Sequence, residues 1–281
     1  MPLIDSKLYK VTGIYEQFSP LILPSKAEIN LPEYLYNSSR LSIDSYIKID
    51  LEDRNNRGVT TFVNLANIRS LYENYSLDSF SAVYSDGILL SILLSTLGIQ
   101  HIKRRSFDRT SIAELVFVNA ARDGLKILAI GGSSVEAESA ETNFKRFYKT
   151  SDVKCINGFE DFDVYLSYCK RASPNIVVVS LGSTKQEDLA LLLSSQIPGI
   201  KIYTSGAFVS QSAENINYYP QYINSLNLRW LYRAFRYRHV RRRLLHDYPR
   251  NIVWLLINRS IVRELILKIL QSEKLLDCSS K

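Results

Sequence analysis

The chain of 281 residues contains few of the residues that build metal centres and disulfide frameworks. It has three cysteines and three histidines, and neither set shows a metal-ligand spacing. An odd number of cysteines without a CxxC pair indicates reduced thiols in a reducing compartment. The sequence therefore predicts no disulfide scaffold, no bound metal and no other cofactor.

Long apolar runs are also absent from the sequence. No stretch approaches the roughly 20 apolar residues that cross a bilayer. The start, Met1–Ser6, lacks the basic region and apolar core of a secretion signal. A hydrophobic content of 46% and a charged content of 22% are ordinary for a globular protein, which excludes a largely disordered chain. We expect a cytoplasmic protein, either free or peripheral on the inner face of the cytoplasmic membrane.

Acidic residues are nearly absent from one segment near the end of the chain. Seven arginines lie between Arg229 and Arg243, interleaved with aromatic and aliphatic residues, and Asp247 is the one acid in 229–250. The net charge of +7 is moderate, so this asymmetry indicates a local anionic partner. From composition alone, the partner could be a nucleic acid, an anionic membrane surface or a phosphate-rich substrate.

A regular alternation of strands and helices begins near residue 59. The runs typical of buried strands are Val59–Leu65, Ser81–Tyr84, Lys126–Ile130, Val153–Ile156, Ile176–Leu181 and Lys201–Thr204. Strands that alternate with helices predict an α/β fold with a parallel sheet and right-handed crossovers, although the pattern does not give the strand order. We divide the chain into an N-terminal extension, an α/β core and a helical C-terminal appendage, which span 1–58, 59–219 and 220–281.

Small and polar residues follow the predicted strands, where ligands bind in open parallel sheets. Gly131-Gly132-Ser133-Ser134 joins a strand to a helix, so its backbone N–H groups could cradle a phosphate, or the turn could be only a tight connection. Neither GxGxxG nor GxxxxGK[ST] is present. Lys185 and Gln186 lie at a later helix start, where they could face a polar ligand. The competing interpretation there is a capped helix with a solvated lysine.

Two further polar residues end predicted strands. Asp86 could serve as a general base, although an Asp-Gly pair is commonly only a turn. Asn64 would otherwise be an ordinary helix cap. The segment Asp161-Phe162-Asp163 imitates the Asp-x-Asp of metal-dependent glycosyltransferases, but it lies in a polar stretch, and we interpret it as a solvated helix start. No Gly-x-Ser-x-Gly motif for acyl transfer is present.

Seven short segments, spread over about residues 59–258, match one known family in order. They are Thr61-Phe62-Val63-Asn64, Ser85-Asp86-Gly87, Phe107-Asp108-Arg109-Thr110-Ser111, Ile127-Leu128-Ala129-Ile130-Gly131-Gly132, Leu181-Gly182-Ser183-Thr184-Lys185-Gln186-Glu187, Ser205-Gly206-Ala207 and Leu228-Arg229-Trp230-Leu231-Tyr232-Arg233. Together they resemble the WecG/TagA/CpsF family, glycosyltransferase family 26. No single segment is specific, but seven in register are.

The resemblance implies a Rossmann-like parallel sheet core with a helical C-terminal appendage. It also implies an inverting, metal-independent transfer of an N-acetylmannosamine-type sugar or related hexose from a UDP-sugar to a polyprenyl-diphosphate-linked acceptor. Such products enter bacterial surface polysaccharides. The implied partners are therefore the UDP-sugar donor, the lipid-linked acceptor and the cytosolic membrane surface.

Family site residues carry over to numbered positions of this chain. Asp86 matches the aspartate proposed as catalytic base. The substrate-binding positions that the resemblance implies are Asn64, Thr61, Arg105, Thr110, Ser111, Gly131, Gly132, Lys185, Gln186, Gly206, Ala207, Arg233, Arg236, Arg242 and Arg243. The family's Thr-x-Asn has Phe62 at its first position here, with Thr61 as the nearest hydroxyl. The four arginines would bind diphosphate, on the UDP-sugar or on the lipid carrier.

Alternatives remain open beside this hypothesis. A non-catalytic scaffold in a polysaccharide complex is one, and a homo-oligomer is compatible with the sequence. A nucleic-acid-binding protein is disfavoured, because the basic residues are confined to one helical region without a known module. After residue 250, Trp254, Ile257, Ile261, Leu265 and Ile269 fall near one helical face. That face predicts either a helix that packs on the core or on another copy, or an in-plane membrane helix, which the nearby arginines favour.

Overall fold

The computed structural model describes residues 58–98, 101–214, 229–236 and 238–278. The strands are β1 (Gly58–Val63), β2 (Ala82–Ser85), β3 (Ile127–Gly131), β4 (Val153–Ile156), β5 (Ile176–Ser180) and β6 (Lys201–Thr204). The helices are α1 (Ile68–Asn74), α2 (Ile88–Gly98), α3 (Ile112–Asp123), α4 (Ser134–Tyr148), α5 (Phe162–Ala172), α6 (Lys185–Gln196), α7 (Phe208–Glu214), α8 (Arg229–Arg236), α9 (Arg238–Arg242), α10 (Tyr248–Ile257) and α11 (Arg259–Cys278). The predicted extension lies outside the described residues except for Gly58.

The strands form one parallel sheet in the order β2-β1-β6-β5-β3-β4. The prediction of an α/β fold with a parallel sheet is therefore confirmed. Every residue of β5 is buried, as expected for a strand covered on both faces. Val177 and Val179 contribute to the core on one face, whereas Ile176 and Val178 contribute to the core on the other.

Helices cover both faces of the sheet. Phe117 of α3, Phe144 of α4 and Val209 of α7 pack in one core. The opposite core is formed with α1, α2, α5, α6, α10 and α11. This arrangement leaves the carboxyl edge of the sheet as the place where a ligand site can open.

The last helix, α11, covers the edge strand β2. The N–H of Val83 donates to Ser272 Oγ (2.9 Å), and the hydroxyl of Tyr84 donates to the Ser272 carbonyl (3.1 Å). Arg105 and Glu273 form an ion pair at 3.2 Å that is largely buried. An uncovered edge strand exposes unpaired backbone groups, so α11 protects the sheet as well as burying its own apolar side chains.

The single apolar face predicted after residue 250 is divided between two helices. Asn258 separates α10 from α11, and its side-chain N–H donates to the Trp254 carbonyl (2.7 Å). Leu265 and Ile269 are buried, but Ile257 is 74% exposed, so the assignment of Ile257 to the same face is wrong. The described part of the chain contains no helix with the length and apolar character to cross a membrane.

Candidate functional site

A cavity of about 730 Å³ opens at the carboxyl edge of the sheet. Residues that follow all six strands line it, from Asn64 after β1 to Gly206 after β6. Residues of the irregular segment 104–108, except Arg105, and of the stretch Arg243–Tyr248 also line it. Because parallel strands end at one edge, segments far apart in sequence meet here.

The cavity brings together seven of the sequence-predicted site residues. Those in its lining are Asn64, Asp86, Gly132, Gln186, Gly206, Ala207 and Arg243. Those whose described side chains or backbone lie outside the lining are Thr61, Arg105, Thr110, Ser111, Gly131, Lys185 and Arg242. Arg233 and Arg236 belong to α8, and their side chains lie outside the described part of the structure.

Asp86 lies at the end of β2, directly at the cavity. Its backbone N–H donates to the Val63 carbonyl (2.7 Å), which fixes the chain where the carboxylate emerges. Arg104 lies beside it, with its Nη2 4.0 Å from Asp86 Oδ1. Asn64, on the adjacent strand, holds its own turn, because its Oδ1 accepts the N–H of Ala66 (2.9 Å). The geometry thus contains both features considered for Asn64, a turn cap and a residue that faces the cavity.

Arg104 is a site residue that the sequence analysis did not name. It lines the cavity and bridges two acids, since its Nη2 also contacts Asp108 Oδ2 at 2.8 Å. Its neighbour Arg105 extends away from the cavity to Glu273. Successive side chains of an extended segment point in opposite directions, but the segment shows no apolar alternation to indicate which arginine faces inward. Thr110 lies outside the lining, and its hydroxyl donates to Asp108 (2.7 Å), which lines the cavity.

A buried polar layer lies beneath the cavity floor. The Thr61 hydroxyl donates to Glu187 Oε1 (3.3 Å) and pairs with Thr204 (3.0 Å). Gln186 donates to the same carboxyl oxygen (2.8 Å) and accepts the N–H of Gly206 (2.9 Å). This chain of contacts fixes Gln186 and the turn at Gly206, both of which line the cavity. Thr61 therefore does not line the cavity but helps to fix Gln186, which does.

Glu187 is the second residue that the sequence analysis missed. Its side chain is fully buried, and its Oε2 has no hydrogen-bond partner among the described residues. Burial raises the pKa of this carboxyl, and the hydrogen bonds from Gln186 and Thr61 oppose the shift only in part. Glu187 ends a segment that matches the family, but nothing in the sequence indicated that its carboxyl is buried.

Several helices begin at the cavity, and two of them, α4 and α6, differ in how their N-termini are capped. At α4, Ser133 and Glu136 form a reciprocal capping box, in which the Ser133 N–H donates to Glu136 Oε2 (2.6 Å). That backbone N–H lowers the pKa of Glu136, and the hydroxyls of Ser133 and Ser210 assist it. At α6, the N-cap Thr184 makes no side-chain hydrogen bond to the first turn. The Glu136 carboxylate therefore occupies the start of α4, whereas the two acids in the first turn of α6, Glu187 and Asp188, accept hydrogen bonds from Thr61 and Tyr75.

The stretch after α9 supplies the wall of the cavity opposite the strand ends. Arg243 begins a π-helical turn (Arg243–Asp247), and Leu244 and Tyr248 also line the cavity. Arg242 is exposed and lies outside the lining. Among the described residues of the lining, the basic side chains are Arg104 and Arg243.

The acidic segment at 161–163 plays no part in the cavity lining. Asp161 is the N-cap of α5, which begins at Phe162, so the interpretation as a helix start is confirmed. Over the described ranges, no three acidic, histidine or cysteine side chains come together in a cluster that could hold a metal ion.

Two comparisons with known proteins identify the family that this chain resembles. The sequence model of the glycosyl transferase WecG/TagA/CpsF family matches residues 39–264. A similar protein from Shigella boydii is named UDP-Gal:alpha-D-GlcNAc-diphosphoundecaprenol beta-1,4-galactosyltransferase. It is 34% identical over 209 residues, which cover 72% of this chain and 87% of that relative.

Proposed function

This chain belongs to the WecG/TagA/CpsF glycosyltransferase family, and we propose that it transfers a hexose from a UDP-sugar to a polyprenyl-diphosphate-linked sugar. The relative's name supports galactose as the donor sugar and lipid-linked N-acetylglucosamine as the acceptor, in preference to the N-acetylmannosamine-type donor that the family resemblance implied. The observation that carries the proposal is the position of Asp86 in a cavity lined from all six strand ends. Such a product would enter a bacterial surface polysaccharide.

In the proposed reaction, Asp86 is the general base. Its carboxylate takes the proton from the acceptor hydroxyl while that oxygen attacks the anomeric carbon of the donor. The new carbon–oxygen bond forms as the bond from the anomeric carbon to UDP breaks, so a single displacement inverts the anomeric configuration. Arg104, 4.0 Å from Asp86, would hold the carboxylate in place through its second contact with Asp108.

The departing UDP carries negative charge that the protein must stabilise. We place the diphosphate near the turn Gly182–Thr184 and the start of α6, where backbone N–H groups and the helix dipole favour an anion. Arg243 adds a guanidinium to the same cavity. The remaining family positions, among them Lys185, Arg233, Arg236 and Arg242, are proposed to bind the diphosphate of the donor or of the lipid carrier.

A lipid-linked acceptor places the reaction at a membrane surface, and α10 offers a face that suits one. Val253, Leu256 and Ile257 are exposed and spaced i, i+3, i+4 on this helix. Arg250 and Arg259 are exposed at its two ends. We propose that this apolar face, with its arginines, associates peripherally with the anionic inner leaflet while Arg243 and Tyr248 face the cavity.

The test of the base is the variant Asp86→Asn. With UDP-galactose and a lipid-linked N-acetylglucosamine acceptor, we expect kcat to fall by about 100-fold or more, because the amide cannot accept the proton. The dissociation constant for UDP should stay close to that of the wild type. Asp163→Asn, at an exposed position of α5 outside the cavity, is the matched control and should keep full turnover.

Two results would contradict parts of this proposal. Undiminished turnover in Asp86→Asn would remove Asp86 as the base. UDP binding by the wild type without turnover on any UDP-sugar would favour the non-catalytic scaffold.

A further inference from the structure

The aromatic ring of Phe159 is a solvent-exposed apolar group in the lining of the cavity. It follows β4, lines the cavity and is 79% exposed, more than the other exposed large hydrophobic side chains of the described residues. Single exposed apolar side chains are common on proteins, so exposure alone shows little. The loop that carries the ring provides the further evidence.

The base of that loop packs tightly against the neighbouring strand ends. The Gly158 N–H donates to the Gly132 carbonyl (2.8 Å). A Cβ at position 158 would lie 2.6 Å from Leu181 Cδ2 and 3.0 Å from Gly131 Cα, so a larger residue there would press on the neighbouring strand ends. Gly158 therefore fixes the start of the loop against the floor of the cavity.

A fully buried tyrosine holds the rest of the loop. Tyr165 Oη accepts the N–H of Glu160 (2.9 Å) and donates to the Asn157 carbonyl (3.0 Å). The Asn157 side chain accepts the N–H of Phe159 (3.0 Å) and donates to Glu160 (3.0 Å). The backbone on both sides of Phe159 is thus fixed before any ligand arrives. A backbone that is fixed in advance loses little conformational freedom when a ligand contacts the ring, which favours binding at this position.

The Glu136 carboxylate near the Phe159 ring indicates which part of a ligand can bind there. Gly132, bonded to the Phe159 loop, lies against Glu136, since a Cβ at 132 would be 3.0 Å from Glu136 Cβ. A carboxylate repels phosphate but accepts hydrogen bonds from hydroxyl and N–H groups. A flat apolar ring beside such an acceptor suits a nucleoside, whereas the start of α6 suits the diphosphate.

We propose that Phe159 is the stacking platform for the uracil of the UDP-sugar, beside the Glu136 carboxylate as acceptor for the nucleoside. This inference rests on the proposed function, because it takes UDP as the nucleotide. Stacking of a base on an aromatic ring contributes substantially to affinity. Phe159 follows β4 and Asp86 follows β2, the two edge strands of the sheet, so the ring lies at the end of the cavity away from Asp86.

The experiment measures UDP binding by titration calorimetry on the full chain without acceptor. In Phe159→Leu, which keeps the apolar volume but removes the ring, UDP should bind about tenfold or more weakly. Phe159→Tyr should bind UDP as the wild type does. The matched control is Phe235→Leu, another exposed phenylalanine (77%) outside the cavity lining, and it should not change UDP binding. Because Phe159 is exposed, Phe159→Leu should fold normally.

Two further measurements separate stacking from other roles. In turnover assays, Phe159→Leu should raise KM for the UDP-sugar with kcat nearly unchanged, because the uracil is bound equally in the ground and transition states. Inorganic pyrophosphate, which lacks the base, should inhibit the variant and the wild type equally.

Three results would contradict the proposed uracil subsite. The first is a UDP affinity of Phe159→Leu within twofold of that of the wild type, and the second is a UDP affinity of Phe159→Tyr that falls as far as that of Phe159→Leu. The third is a loss of pyrophosphate inhibition in Phe159→Leu as large as its loss of UDP affinity. A wild-type protein that does not bind UDP would contradict the proposed function itself, and this subsite with it. Wild-type binding with an unaffected Phe159→Leu would contradict the subsite alone.

Discussion

The buried carboxyl of Glu187 makes the stability of the core depend on pH. Its folded-state pKa is raised above 4.5 by burial, so the folded protein holds this proton at pH values where the unfolded chain has released it. The stability that the protonated form contributes is complete below about pH 4.5 and is lost as the pH rises through the folded pKa. Glu187→Gln mimics the protonated carboxyl at every pH. We therefore expect the variant to be more stable than the wild type at neutral pH.

Urea unfolding of both proteins between pH 4.5 and pH 8 would check this expectation. The difference in the free energy of unfolding should be near zero at the acid end and increase toward the neutral end. Glu138→Gln, at an exposed position of α4, controls for the loss of a surface charge. A difference between Glu187→Gln and the wild type that stays constant with pH would show that titration of Glu187 is not its source.

At the scale of single residues, the sequence predicted the cavity residues that follow strands, but it did not predict the residues that contact them in the folded protein. Asp86 was predicted because it comes directly after a strand, and such residues meet at the carboxyl edge, whereas Gly206 was predicted from the family resemblance. Arg104 was missed in favour of Arg105 because the segment between α2 and α3 has no regular period. Glu187 was missed because its burial depends on contacts with Thr61, which lies more than a hundred residues earlier.

Among the elements, the contact of α11 with β2 offers a direct test. Ser272 Oγ accepts the Val83 N–H in a buried position, so Ser272→Ala leaves a backbone donor of the edge strand unsatisfied. We expect a loss of about 1–3 kcal/mol in the free energy of unfolding. Faster amide hydrogen exchange at Val83 should accompany this loss.

Ser260→Ala is the matched control, since Ser260 lies exposed in the first turn of the same helix. It should change stability by less than about 0.5 kcal/mol. Equal unfolding free energies for Ser272→Ala and Ser260→Ala would indicate that α11 does not stabilise β2 through this hydrogen bond.

The elements themselves were well predicted, whereas their arrangement was not. Val153–Ile156 and Lys201–Thr204 have the predicted ends, and each is followed directly by a polar residue, Asn157 or Ser205. The order of the strands in the sheet had no signal, since β3, β5 and β6 are similar apolar segments that can pair equally well. The break at Asn258 was missed because the apolar spacing continues through it.

In the whole molecule, the C-terminal helices contribute both to the cavity and sheet edge and to the outer surface. One side of the stretch after α9 contributes Arg243 and Tyr248 to the cavity, and α11 closes the sheet at β2. The outward side of α10 leaves Leu256 and Ile257 exposed, 41% and 74%. Helical periodicity alone could not separate these roles, because packing on the core and insertion into a membrane both need an apolar face.

Membrane association through α10 is the prediction that belongs to the whole molecule. We expect the wild type to float with vesicles that contain an anionic phospholipid, and Leu256→Ser/Ile257→Ser to partition at least about tenfold more weakly, because two apolar side chains no longer enter the interface. The matched control is Ile92→Ser/Val164→Ser, a pair of exposed apolar residues on α2 and α5.

Salt and lipid charge distinguish the apolar from the electrostatic contribution to this association. Added salt or neutral vesicles should weaken binding of the wild type, since each arginine near an anionic surface contributes about 1 kcal/mol that salt screens. The serine pair on α10 should lose the apolar part and keep the salt dependence. Equal flotation of the two double-serine variants would instead show that α10 does not enter the membrane. A different surface of this protein would then have to bind the membrane that carries the acceptor.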